Sequence, residues 1–196
     1  MMEEEIVTKS FKDSIKAKEA FFSRKNISSI VKAAEWIADA FKAGNKLMII
    51  GNGGSAADSQ HLAAEFVNRF EIERPPLPAL ALTTDSSILT SIGNDYDFNT
   101  VFSKQVKALG KAGDILLAIS TSGASENVLK AVEAARGCAV KTVALTGNGG
   151  GELAKKVELA LNVDSRSTPR IQEVHITICH IICELVDHGL FKKVSG

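Results

Sequence analysis

Two stretches of the sequence carry side chains able to do acid–base or metal chemistry. His61 and Glu65 stand four positions apart, a spacing that puts them on one face of a helix, and Asp58 lies one turn earlier on nearly the same face. Such a pair could ligate a metal, could offer a carboxylate base, or could be no more than a solvated helix face. Farther on, Gln172, His175 and His180 interrupt an otherwise apolar succession of Ile171, Val174, Ile178, Ile181, Ile182 and Leu185. A lone histidine on such a helix is usually a satisfied core residue, whereas a histidine together with a glutamine points toward function. On one straight helix the Cα atoms of Gln172 and His180 are separated by ~12 Å along the axis. Both could not comfortably grip one small ion or one substrate carbon, so if both belong to one site they are expected to come from different subunits.

Polar loops offer a place for such a substrate to be held. Gly51-Asn52-Gly53-Gly54-Ser55-Ala56-Ala57-Asp58 follows one apolar run, and its glycines let backbone N–H groups turn toward a ligand. Ser55 is expected to cap the helix that follows. The loop lacks the Lys-Ser/Thr ending of a P-loop and, with Ala56 in the last position, departs from Gly-x-Gly-x-x-Gly. A second loop, Ser120-Thr121-Ser122-Gly123-Ala124-Ser125-Glu126-Asn127, gathers four hydroxyls at another strand-to-helix turn. Hydroxyls and amide N–H groups suit a phosphate monoester without any basic residue; a turn with an N-cap would explain only one or two of them. A third loop, Gly147-Asn148-Gly149-Gly150-Gly151, has no such hydroxyls and is expected to be a flexible structural turn.

The elements that must position these residues are legible from periodicity. Apolar residues from Ile6 to Phe41 recur near helical spacing, with a break over Ser23–Ser29 and a stop at Gly44-Asn45. From Lys46 onward, short, nearly continuous apolar runs appear at Leu47–Ile50, Ala79–Leu82, Ile115–Ile119, Val140–Leu145 and Leu159–Val163. That is how strands buried on both faces of a parallel sheet read. Alternating with helices, they predict an α/β fold: a doubly wound, flavodoxin-like five-stranded parallel sheet flanked by helices, with an N-terminal helical arm. A last helix is expected from about Pro169 to Leu190, with Gly189 at its end. The whole of 1–196 reads as a single domain, with the helices of 1–44 preceding an α/β core and C-terminal helix over 45–196. The arm could pack on a second subunit or on its own sheet. In such a fold, ligands bind beyond the carboxyl ends of the strands, where the polar loops lie.

Composition limits the partners. The chain has 196 residues, and its 23 Lys+Arg balance its 23 Asp+Glu. A neutral total argues against a nucleic-acid partner held through phosphates and leaves association open. The three cysteines, Cys138, Cys179 and Cys183, form no Cys-x-x-Cys pair and sit among apolar neighbours, as buried thiols of a reducing compartment do. The acidic start is unlike a secretory signal, and no run approaches the roughly 18 uncharged apolar residues that span a membrane. These features predict a cytoplasmic protein.

Four motifs in order then carry a resemblance over nearly the whole chain. Gly51 to His61 followed by Ala64-Glu65, Ile92-Gly93-Asn94-Asp95, Ser120 to Ser125, and Arg170-Ile171-Gln172-Glu173-x-His175 with His180 resemble the phosphoheptose isomerases, a branch of the sugar-isomerase (SIS) family. The resemblance implies an aldose–ketose isomerase that converts sedoheptulose 7-phosphate to D-glycero-D-manno-heptose 7-phosphate, the first step toward the heptose of lipopolysaccharide core. It implies a homotetramer with active sites between subunits. It implies substrate contacts at Asn52, Gly53, Gly54, Ser55, Glu65, Asn94, Asp95, Ser120, Thr121, Ser122, Ser125 and Gln172, a catalytic pair of Glu65 and His180, and zinc ligands at His61, Glu65, Gln172 and His180. The chemistry fits these side chains: a proton moves between C1 and C2 through an enediol, with Glu65 as base and His180 handling the oxygen protons. Glu65 cannot be a tightly held ligand and a free base in the same instant, and the sequence leaves open which role dominates.

Two rivals share the fold. Non-catalytic SIS-family proteins that bind the bacterial replication initiator have stretches like Asn68-Arg69-Phe70-Glu71-x-Glu73-Arg74-Pro75, but the retained Glu65 and His180 favour the enzyme. Sugar-phosphate-sensing transcription regulators carry a basic DNA-binding helix, which this mixed-charge arm does not provide.

Overall fold

Side-chain alternation along each central strand decides the layering. In the computed structural model, which describes residues 2–191, Leu47 and Ile49 point to one face of the sheet and Met48 and Ile50 to the other. Ile115, Leu117, Ile119, Val143 and Leu145 join the first face, and Leu116, Ala118 and Ala144 the second. Each face is a core, so the strands contain no polar alternation.

The five strands are β1 (Leu47–Gly51), β2 (Ala79–Ala81), β3 (Ile115–Ser120), β4 (Lys141–Gly147) and β5 (Leu159–Val163). They are all parallel, in the order β2-β1-β3-β4-β5. The first face is covered by α1 (Met2–Phe21), α2 (Arg24–Lys42), α3 (Gly54–Val67) and α8 (Thr168–Phe191). The second is covered by α5 (Val101–Leu109), α6 (Glu126–Gly137) and α7 (Gly151–Lys156). The intervening α4 (Ser86–Asp95) has no buried residue. The predicted doubly wound sheet is therefore present. Residue 1 and residues 192–196, the ends of the 1–196 span, lie outside the described residues.

Several local expectations change. The break between the arm helices is only Phe22 and Ser23, because the Ser23 hydroxyl accepts the Asn26 N–H and starts α2 there; Ser28 and Ser29 are helical. Gly189 does not end the last helix. That helix continues to Phe191, with Ile182, Cys183 and Val186 buried along its core side. Packing outweighs the ~1 kcal/mol that an interior glycine costs. By length and mean hydropathy α8 could also cross a membrane, but Arg170, Glu173, Glu184 and Asp187 interrupt it, so no run of 18 uncharged apolar residues occurs, and its apolar face packs in the core beside α2 and α3.

Candidate active site

At the carboxyl end of β1 the chain turns through Asn52 and Gly53 into α3. Gly53 is the N-cap, without a side-chain cap bond; Ser55 lies inside the first turn, buried, and its carbonyl accepts the Ser59 hydroxyl at 2.7 Å. The expected Ser55 cap is thus replaced by a helix start whose Ser55 and Ala56 amides bond the Asn52 and Gly53 carbonyls at 3.0 Å, with no side chain over the positive end of the helix dipole.

At the carboxyl end of β3 the serine loop leads into α6, whose N-cap Ser125 also makes no side-chain cap bond. Its hydroxyl lies 3.2 Å from that of Ser120, while the Ser122 hydroxyl accepts the Ala124 N–H. Thr121 is half-buried and Ser122 exposed, so the loop presents hydroxyls outward over an open helix start. The two loops are tied together by a reciprocal amide pair. Asn52 Nδ2 donates to Asn127 Oδ1, and Asn127 Nδ2 donates to Asn52 Oδ1, both at 2.9 Å. Asn127 is buried, and no local pattern signals a partner 75 positions away.

The third glycine loop is not the flexible turn expected. Leu153 N–H donates to the Gly123 carbonyl at 2.9 Å, and the backbone at Gly150 and Gly151 is pressed against Gly123. It buttresses the serine loop.

Two helices supply the remaining groups. On α3, His61 Nε2 lies 3.0 Å from Glu65 Oε1. From α8, His180 brings its ring to 5.1 Å from that of His61, edge-on, and Phe70 stacks on His180 at 5.6 Å. Asp58, one turn before His61, is half-buried. Its Oδ2 has no hydrogen-bond partner among the described residues, and burial raises its carboxyl pKa while His61 and His180 oppose the rise. Gln172 sits at the other end of α8 against Gly54, where a Cβ would collide with its amide nitrogen. The fold therefore gathers His61, Glu65 and His180 in one chain and keeps Gln172 apart from them. Among the described residues no three His, Cys, Asp or Glu side chains converge closely enough to hold a metal ion. Asn94 and Asp95 end the exposed α4, where the Asn94 amide donates to the Asp95 carboxylate at 2.8 Å.

His175 takes no part in this group. It is fully buried, and its Nε2–H donates to the Thr146 carbonyl at 3.0 Å, tying α8 to the end of β4. Burial pushes its pKa down from 6.5 to about 4. The unfolded chain takes up a proton that the native state refuses, so this residue's penalty is absent above pH 6.5 and grows as the pH falls toward about 4, to about 3 kcal/mol. Urea midpoints should decline across that window, and less steeply in His175→Gln; identical slopes would show that His175 is not the cause.

Comparison with known proteins agrees with the architecture. The SIS domain family model matches residues 10–147. The phosphoheptose isomerase of Thermodesulfovibrio yellowstonii is 54% identical over 96% of this chain and 94% of its own length. The phosphoheptose isomerase structure from Francisella tularensis superposes with a TM-score of 0.92 at 41% identity, covering 96% of this chain and 100% of that one. That from Neisseria gonorrhoeae gives 0.88 at 46% identity, covering 94% and 98%.

Proposed function

The chain belongs to the phosphoheptose isomerases of the SIS domain family, and we propose that it interconverts sedoheptulose 7-phosphate and D-glycero-D-manno-heptose 7-phosphate, at sites completed between the subunits of a homotetramer. The observation that carries this reading is the juxtaposition of Glu65 with two imidazoles on α3 and α8, helices whose other ends meet at the β1 loop, where Gln172 lies against Gly54.

The serine loop, with Ser120, Thr121, Ser122 and Ser125, binds the phosphate, and its hydroxyls and the amides of α6 replace the water around that group. Asn52, Gly53, Gly54 and Ser55 line the sugar's path, with Asn94, Asp95 and Gln172 as further polar contacts. Glu65 takes the proton from the carbon next to the carbonyl and returns it to the neighbouring carbon; His180 moves the proton between the two oxygens. No bond to phosphorus changes, so the phosphate serves only to hold and orient.

His61, Glu65, Gln172 and His180 are the residues that would hold zinc, with Gln172 contributed by a neighbouring subunit. Two imidazoles, a carboxylate and an amide oxygen are donors that suit it, and the Asp58 Oδ2 beside both imidazoles, partnerless among the described residues, is consistent with a cation there. Zinc would supply Lewis-acid polarisation of the substrate carbonyl. Purified protein given sedoheptulose 7-phosphate should form the aldose, lose at least tenfold of its rate on chelation and regain it with zinc. Unchanged activity after chelation would show that no metal takes part.

The tetramer is supported by the arm. Ile6, Val7, Phe11, Ile15 and Phe22 are exposed on a single chain, and a cavity of about 340 Å³ between α1, α2 and α8 is lined by Phe21, Ile27, Ile30, Ile178 and Ile181. Such apolar surface on a neutral chain favours self-association. Sedimentation velocity should give four subunits; a fully active monomer would contradict shared sites. A phosphorylated sugar substrate and three free thiols suit the cytoplasm.

A further inference from the structure

The segment between α3 and β2 carries an arginine, Arg74, whose side chain is only 1% exposed. Its guanidinium makes five hydrogen bonds, two of them longer ones from Nη1 to the Asn68 and Pro75 carbonyls at 3.3 and 3.2 Å. Nη2 donates to the Glu65 carbonyl at 2.8 Å, Nη1 to the Phe66 carbonyl at 2.7 Å, and Nε to Asp187 Oδ1 at 2.8 Å. The Glu65 and Phe66 carbonyls belong to the last turn of α3, where no helical N–H remains to bond them and where a cation is favoured. Asp187 lies on α8, seven residues after His180 and so on the same face. One guanidinium thus grips the backbone of Glu65 itself and the helix that bears His180. The same segment stacks Phe70 on the His180 ring, 25° from parallel at 5.6 Å, in addition to that ring's edge-on contact with His61.

We propose that Arg74, Asp187 and Phe70 are positioning residues that fix the separation and orientation of Glu65 and His180. The proposal rests on the reading of those two as the catalytic pair. A buried ion pair adds little stability over a well-packed apolar pair, so stability alone does not account for a charged clamp at this place. Directional bonding does: a planar fork meets four carbonyls and a carboxylate at once, which the point charge of a lysine cannot. Displacement of reacting groups by an ångström costs on the order of a hundredfold in rate.

The test uses full-length Arg74→Lys, Asp187→Asn and Phe70→Leu, each assayed at a temperature where circular dichroism shows it folded, with NMR of the protein carrying labelled histidine. Expected are falls in kcat of about 10–100-fold for the first two and about 3–10-fold for the third, with KM within threefold of wild type. The His180 ring resonances should move in every variant, and this readout needs no turnover. Variants that melt lower but keep wild-type kcat and an unmoved His180 resonance would overturn the proposal. Should neither charged-pair variant fold, Phe70→Leu, which touches no buried charge, decides by the same criteria. Absence of isomerase activity in the wild type, with shifted His180 resonances in the variants, would indict the functional reading and leave the clamp standing.

Discussion

Glu65→Gln should lower kcat by about 10²–10⁴-fold and leave KM for sedoheptulose 7-phosphate nearly unchanged. The substitution keeps size and hydrogen-bonding capacity, so the 3.0 Å contact with His61 can persist through the amide oxygen. Arg74 bonds the backbone of residue 65 and not its side chain, so that anchorage also survives. What is lost is a group able to carry the proton between two carbons. Because the phosphate is held by a different loop on a different strand, binding has no reason to follow turnover down. His180→Gln should behave alike, through loss of the proton transfer between oxygens. Steady-state kinetics beside thermal melts check both: a folded Glu65→Gln enzyme at wild-type kcat would remove Glu65 from the chemistry.

The second large effect lies in the backbone. Gly123 has φ +63°, and a Cβ there would be driven into the Gly150 carbonyl oxygen. The obstacle is a backbone carbonyl that already accepts the Ala154 N–H at 3.1 Å, on a segment tied to Gly123 by the Leu153 N–H, so it cannot swing aside. Gly123→Ala should cost about 2–4 kcal/mol, from left-handed strain and overpacking together. It should also raise KM more than tenfold, because the serine loop must deform. Gly149→Ala is the matched control. It too is left-handed, at φ +81°, but a Cβ there meets nothing within 4 Å, so it should cost only about 1 kcal/mol and leave KM alone. Chemical denaturation and kinetics on the pair separate clash from strain; equal effects would show that the contact between the loops does not matter.

The sheet was legible because burial on both faces leaves a local mark. Ile115–Ile119 and Leu47–Ile50 read as strands with no knowledge of their neighbours, and their loops fall at the carboxyl ends as the topology requires. The His61–Glu65 pair was legible for the same reason, since helical spacing alone puts the two side chains together. What was not legible depends on partners distant in sequence. Asn127 matters through Asn52, 75 positions away, and Arg74 through Asp187, 113 positions away. Gly54 meets the Gln172 amide from the far end of the chain, and the third glycine loop presses on Gly123, whose carbonyl accepts the Leu153 N–H. Ser55 has the residue type of a cap, but the backbone starts the helix at Gly54 with Gly53 in the cap position. His175 comes with the same motif as Gln172, yet its bond to Thr146 makes it a strut between α8 and β4.

Glu65, held beside His61 and His180, is the group assigned to move a proton between two carbons of a heptose phosphate. That assignment is tested most directly by following sedoheptulose 7-phosphate by NMR with purified wild-type protein and, in parallel, with Glu65→Gln. Expected are steady conversion to the aldose 7-phosphate by the wild type and a rate at least about a hundredfold lower with the folded variant. No aldose from the wild type, or equal rates from both proteins, would contradict it.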